Sequence, residues 1–318
     1  MQEMSSKEIP VVLTEKLDEQ FFQSRTSKRS PIIFRGVDIG SCRLKWNADY
    51  LADAIGDHEV KIHVSSQSKL DFVNRNFLYK SISLKEYIRR SSQAPGLPLE
   101  EFFIDPHEKY YLRSLGGDVR KEVADVHKQY PEIATDLNLP YVFSADRFFS
   151  SVFRIASPGS QLWTHYDVMD NLLIQILGDK EIIMFPPSDL PYLYLQGDKS
   201  VILDPDNADL SQFPLFASAT KYKSKLLPGD IVYIPALWFH NVKALNFSVA
   251  VNMFWKNLEP ALYDNKDVYG NKDLVPAARA QQGVDKALKA LDNLPAAYKE
   301  FFTLKLISRL QASLSGSS

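Results

Sequence analysis

Trp163-Thr164-His165-Tyr166-Asp167 closes a predicted strand, and the reading of this chain turns on it. Successive side chains of a strand point to opposite faces, so His165 and Asp167 can offer an imidazole and a carboxylate to one point in space. A further candidate ligand, His240, lies downstream in Pro235-Ala236-Leu237-Trp238-Phe239-His240-Asn241-Val242. Taken alone, a His-x-Asp tripeptide is common, and a hydrogen-bonded core histidine beside a turn aspartate is the competing reading. The second histidine, at the end of another strand, favours a metal site over that alternative.

Outward from this stretch the sequence reads as short strands joined by tight turns. Phe148 to Ala156 is followed by the turn Ser157-Pro158-Gly159, then by strands over Gln161 to His165 and Leu172 to Leu177. Gly178-Asp179 turns into Glu181 to Phe185, which Pro186-Pro187 ends. Further on, Leu227-Pro228-Gly229-Asp230 leads into Ile231 to Ile234, and Phe247 to Trp255 supplies another apolar strand. The pattern predicts an antiparallel sandwich or barrel, a mainly β chain with a double-stranded jelly-roll core spanning residues 31–256.

Residues 1–30 read as a polar tail and first helix, and the first core strand is expected at Pro31 to Arg35. An α/β decoration follows: Trp46, Tyr50, Leu51 and Ile55 are spaced for a helix, and Val60 to Val64 alternates as a half-buried strand. Ser83 is placed to cap a helix that should stop before Ala94-Pro95-Gly96-Leu97-Pro98. Residues 257–318 read as a helical region. Val284, Ala287, Leu288 and Leu291 share one face; Tyr298, Phe301, Phe302, Leu306 and Leu310 share another, and Asn293-Leu294-Pro295 breaks between them. The Ser-rich end after Leu314 reads as disordered.

Composition sets bounds on function. The chain has 318 residues, 45% of them hydrophobic, enough for a full core, and its net charge of −2 gives no general attraction to polyanions. Nucleic-acid binding would therefore need a local patch. Cys42 is the only cysteine, which excludes an intramolecular disulfide and a cysteine-based zinc site. There is no signal-type core and no apolar run long enough for a bilayer. A soluble protein of the cytoplasm, with the nucleus also open, is expected.

Two histidines and one carboxylate form the facial set used by non-haem iron(II) oxygenases, since three ligands on one face leave other positions free. The Pro-Gly-Asp turn, the strand and the Pro-x-x-Trp-x-His run, downstream of His-x-Asp, resemble the JmjC branch of the cupin-like 2-oxoglutarate oxygenases. That resemblance implies His165, Asp167 and His240 as ligands of Fe(II), with 2-oxoglutarate and O2 as co-substrates. It also implies Lys180 as partner of the far carboxylate of 2-oxoglutarate, with Tyr111 and Asn171 as further contacts and Asn252 and Trp255 as pocket residues. From the residues alone, Lys180 reads as a solvated turn lysine, Asn171 as a strand start, and Trp255 as core.

A narrower resemblance runs through nearly the whole chain. Lys109 to Gly116, Phe149 to Arg154, Leu162 to Gln175, Ile234 to Val242 and Tyr269 to Asp273 are similar to the members that hydroxylate the wybutosine precursor, a modified guanosine next to the anticodon of phenylalanine tRNA. This implies a tRNA partner. Arg154, Arg147 and Arg113 are the candidate substrate contacts, and Lys109, Arg120, Lys121 and Lys128 add local basicity, although taken singly Arg120 and Lys121 read better as a solvated helix face. His58 and His63 read as members of an exposed polar face.

Related hydroxylases dimerise through C-terminal helices, which implies a homodimer, with packing of these helices on the barrel as the alternative. The core motifs specify the co-substrate and not the substrate, so a protein hydroxylase or demethylase stays open. So do a catalytically silent tRNA-binding module and a cupin using another metal.

Overall fold

The computed structural model describes residues 6–93 and 101–315. The loop expected at Ala94 to Pro98 lies outside them, as does the chain beyond Ser315. The described chain forms two compact units. One runs to Leu258 and includes Lys266–Asn271; the other comprises Glu259–Asn265 and the residues from Lys272 onward.

The first unit begins with β1 (Lys7–Glu8), β2 (Val11–Leu13), α1 (Glu19–Thr26) and β3 (Ile32–Arg35). Next come α2 (Cys42–Lys45), α3 (Ala48–Ile55), β4 (Glu59–Ser65), β5 (Leu78–Ser83) and α4 (Leu84–Gln93). After β6 (Lys109–Arg113) and α5 (Val126–Gln129) the chain becomes mainly strand: β7 (Phe148–Ala156), β8 (Asp170–Leu177) and β9 (Lys180–Phe185). Two short strands, β10 (Leu195–Gln196) and β11 (Lys199–Ser200), precede β12 (Tyr222–Leu226), β13 (Ile231–Ile234), β14 (Phe239–Ala244) and β15 (Ser248–Trp255).

These strands build a large sheet ordered β2-β3-β13-β8-β15-β7-β6-β4-β5 and a smaller one ordered β1-β12-β9-β14. Pairing is antiparallel except for β1 with β12 and β2 with β3. The jelly-roll core with added helices is thus present.

Period-two alternation divides the large sheet's side chains between two hydrophobic clusters. Leu172, Ile174, Ile231, Tyr233, Val251 and Met253 join the helices in one cluster. Leu173, Val232, Ile234 and Ala250 meet Ile182, Met184 and Val242 of the small sheet in another. Both faces are covered, which is why these strands read as near-continuous apolar runs.

Local signals account for the helix starts. Asn47 accepts from the Tyr50 amide at α3, and Ser83 Oγ accepts from the Glu86 amide 3.2 Å away at α4.

The structure departs from expectation at two places. Residues 7–13, read as tail, pair into both sheets, because Lys7 and Val11 find open strand edges that only the folded core supplies. Gln161 to His165, read as a strand, runs beside β14 through isolated bridges instead of a continuous ladder.

The second unit holds α6 (Val275–Leu291) and α7 (Ala296–Ser315), separated at the expected break. Tyr298, Phe301, Leu304 and Leu310 of α7 are each more than half exposed. Among the described residues no helix is long and apolar enough to cross a membrane.

The turn between β8 and β9 depends on Gly178. Its φ is +72°, and an added Cβ would lie 2.2 Å from the Phe247 carbonyl oxygen. Gly178→Ala should lower unfolding stability by about 1–3 kcal/mol, read from the midpoint of a urea titration; an unchanged midpoint would remove this account of the turn.

Candidate metal centre and its cavities

Two segments remote in sequence carry the ligand candidates. His165 and His240 pair through both backbone hydrogen bonds, His240 N–H to the His165 carbonyl at 2.8 Å and His165 N–H to the His240 carbonyl at 3.2 Å. The Leu237 amide donates to the Asp167 carbonyl at 2.8 Å, and Leu237 itself has a φ of +70°, uncommon for a branched residue. Asn241, buried next to His240, donates to the Leu162 carbonyl at 2.6 Å and accepts from Gln161 at 2.9 Å. The ligand segment is thereby tied along β14.

A second tether lies at the other end of the loop. Arg29 pairs with both oxygens of buried Asp170, at 2.6 and 3.2 Å. Asp170 also accepts from the Ala236 amide at 2.8 Å, and the Trp238 indole donates to the Arg29 carbonyl at 2.9 Å. The loop bearing His240 is therefore fixed by ionic and neutral bonds together.

As a result one ligand atom from each of His165, Asp167 and His240 lies within 4.8 Å of the others. His240 Nε2 is 3.6 Å from Asp167 Oδ2. Each imidazole places Nδ1 against a carbonyl two residues back, at 3.0 Å to Trp163 for His165 and 3.1 Å to Trp238 for His240. A carbonyl only accepts, so Nδ1 carries the proton and Nε2 keeps its lone pair toward the centre. Burial lowers both imidazole pKa values, further for His165, where neighbouring His240 adds to the effect, and raises that of Asp167. Neutral imidazoles and one carboxylate, with nitrogens already oriented, suit a divalent ion.

Two cavities meet at this wall. Tyr111, Arg154, Lys180, His240 and Asn252 line the smaller, with His165 between the two. Lys180 is buried, not the solvated turn lysine its position allowed, and has no carboxylate partner among the described residues. Burial, with repulsion from Arg154, pushes its ammonium down to about 7. Asn252 Oδ1 and Arg154 Nε are buried without hydrogen-bond partners, while an Arg154 Nη donates to the Tyr111 hydroxyl. The unpaired Arg154 Nε–H donor and the naked Lys180 ammonium suit this cavity to an anion.

The larger cavity, of about 340 Å³, is lined by cations and aromatic rings, among them Lys61, Arg113, Trp163, Lys199, Phe254 and Tyr269. His63 also reaches it, ringed by Phe77, Tyr79 and Tyr111, and burial lowers its pKa to about 4. On the polar face of β4, His63 is thus drawn into this cavity, while Glu59 and Lys61 stay exposed as expected.

Other expected site residues fall elsewhere. Trp255 is displaced from the pocket by strand alternation: Asn252 and Phe254 face the cavities, whereas Trp255 stacks on Phe143 at 4.7 Å in the helix-covered core. Arg147 sits in a separate groove beside Arg29 and Asp170 and donates to the Leu258 carbonyl at 2.7 Å. Asn171 is fully buried and accepts from Asn252 at 3.0 Å, so it meets the pocket through that neighbour. Lys121 and Lys128 are engaged by Asp118 and Asp125. Lys199, Trp163, Phe254, Tyr269 and Asn241 carried no signal of their own in the sequence. Their places come from β11, β14 with the segment bridged to it, β15 and the segment after Leu258.

A sequence profile described as the cupin-like domain matches residues 18–260. The chain is 46% identical over 312 residues to tRNA wybutosine-synthesizing protein 5 of Gallus gallus, covering 97% of both chains. It is 47% identical over 309 residues to the protein of that name from Homo sapiens, again over 97% of each. It is also 35% identical over 298 residues to tRNA wybutosine-synthesizing protein 4 of Gibberella zeae, covering 91% of this chain and 28% of that one.

Lys180 gives a pH-dependent signature. The unfolded side chain titrates near 10.5 and the folded one near 7, so between these values the unfolded chain holds the extra proton. The resulting penalty is absent above about pH 10.5, grows as pH falls and is complete below about pH 7. Lys180→Met should therefore raise the melting temperature of the ligand-free protein at pH 7, with a gain that shrinks by pH 9.5. A loss of stability at pH 7 would contradict the unpaired ammonium.

Proposed function

Because the chain belongs to the cupin-like family, in the branch of the tRNA wybutosine-synthesizing protein 5 relatives, we propose that it is an iron(II)- and 2-oxoglutarate-dependent oxygenase. Its substrate on this reading is the aminocarboxypropyl side chain of the wybutosine precursor in phenylalanine tRNA, which it hydroxylates. The observation that carries the reading is the meeting of the His165–Asp167–His240 set with the buried, unpaired Lys180.

In this reading His165, Asp167 and His240 would hold the iron. Lys180 binds the far carboxylate of 2-oxoglutarate, with Tyr111 and Asn252 as neutral hydrogen-bonding partners on the same wall. The iron centre, with 2-oxoglutarate and O2, supplies the oxidising power that replaces a C–H bond by C–OH and leaves succinate and CO2. The protein's own part is to orient and enclose. Trp163, Phe254 and Tyr269 offer ring faces to an extruded base, and the cations of the larger cavity meet its charged side chain. A local cationic cavity in a chain of net charge −2 supports recognition of one nucleoside over bulk attraction to RNA.

The free, buried Cys42, whose thiol burial pushes up to about 12, is compatible with the reducing cytoplasm or nucleus as its compartment.

Incubation with iron(II), 2-oxoglutarate and precursor-bearing phenylalanine tRNA should add one oxygen to the modified base by mass spectrometry, and His240→Ala should give none. Oxygen appearing in peptides and never in the tRNA would instead establish a protein hydroxylase. Lys180→Met should weaken 2-oxoglutarate binding by about 10- to 100-fold.

We propose also that α7 pairs with a second copy, since Phe301 and Leu304 present apolar surface to solvent. Phe301→Glu with Leu304→Glu should halve the mass seen in sedimentation. A wild-type protein that sediments as a monomer at micromolar concentration removes this idea.

A further inference from the structure

Of the cations on the larger cavity, each but one has a ready account. Lys199 Nζ is held by both oxygens of Asp198, at 2.5 and 2.6 Å. Lys61 is solvent-exposed and lies over the Tyr79 ring, 4.6 Å from its centroid. Arg154 lines both cavities and is bonded to Tyr111. Arg113 lines the larger cavity and not the smaller, and has no carboxylate partner among the described residues.

What Arg113 does touch orients it. An Nη donates to the Tyr269 carbonyl at 2.8 Å, and the guanidinium lies 5.6 Å from the centroid of the Tyr269 ring. Tyr269 belongs to Lys266–Asn271, a strap that packs with the first unit although the chain on either side belongs to the second. In the register of β6 and β7, Arg113 stands directly opposite Arg154. Like charges directly across a ladder repel, and an anion placed between them relieves the repulsion. Burial and Arg154 together push the Arg113 guanidinium down to about 10.

We propose that Arg113 is the receptor for the substrate's side-chain carboxylate, clamping it against Arg154, and that it makes the enzyme selective for the free acid over its ester. This rests on the functional reading above and deepens it by assigning the substrate's anion to one residue. The carboxylate is favoured over a backbone phosphate by distance along the substrate. The carbon to be hydroxylated and the carboxylate share one short chain, so a carbon facing His165 and Asp167 brings the carboxylate into the same cavity. The sugar and phosphates leave from the other side of the base. Two parallel N–H donors of a guanidinium match a carboxylate and do not match an uncharged ester.

The test uses the full-length protein with manganese(II) in place of iron, and a fluorescent anticodon stem-loop bearing the side chain as free acid or as methyl ester. Anisotropy should show the wild type binding the acid about 10- to 100-fold more tightly than the ester, the range for one charge-assisted pair. Arg113→Gln should remove that difference by weakening the acid alone, with 2-oxoglutarate binding unchanged. Arg113→Lys, which keeps the charge and loses the fork, should retain part of the preference and serves if the glutamine variant does not fold. A preference that survives in Arg113→Gln overturns the assignment, and equal weakening of acid and ester overturns it in favour of a phosphate contact. A wild type that hydroxylates the tRNA yet binds acid and ester alike also overturns it, whereas a wild type that neither binds nor hydroxylates either RNA defeats the underlying function instead.

Discussion

The bridge between His165 and His240 is the constraint on which the rest of the site depends. It consists of two backbone hydrogen bonds, which hold whatever the side chains do, and it brings residues 75 positions apart into register. Once the register is set, both imidazoles lie on one side with ring centroids 4.3 Å apart. The carbonyls of Trp163 and Trp238 then select the tautomer. Asn241 and the Arg29–Asp170 pair secure the two segments from outside through bonds that need no bound ligand. Strain at Leu237 is tolerated because its amide completes the link to Asp167.

Around that centre the protein has buried more positive charge than it neutralises. Lys180, Arg154 and Arg113 line the two cavities, where the carboxylates are Asp167, in the candidate metal set, and Asp198, paired with Lys199. Desolvation makes such an arrangement costly, a cost that bound anions would offset. The division into a small cavity with Lys180 and a large one with Arg113 places these two cations apart, as the proposed co-substrate and substrate would require. Trp163, Phe254 and Tyr269 line only the larger cavity, and their rings suit it to a planar ligand.

Much of the fold was legible because its strands are short, apolar and punctuated. The limits of β7 and β13 coincide with the apolar runs read from sequence, and the break between α6 and α7 falls at Leu294-Pro295. Period-two alternation also held the means to separate Asn252 and Phe254 from Trp255, since residues an odd number apart cannot share a face. What misled there was a strand that is apolar on both sides, so that neither face announces itself. Residues 7–13 were illegible for a different reason: pairs of two or three residues have no periodicity, and they form only because the edges of β12 and β3 are open.

The sequence by itself determined which chemistry was available: a His-x-Asp pair, a distant histidine after a Pro-Gly-Asp turn, a lone cysteine, and strands of the right length. Those are local properties, set by side-chain type and by the alternation of the backbone. Only the tertiary structure decided which charges face one another. Arg113 and Arg154 are adjacent through the register of β6 and β7, Lys180 is buried by the sheets packed over it, and Tyr269 reaches the cavity on a strap from beyond the core. Burial and cross-strand proximity belong to pairs of segments, and no window of sequence contains both members.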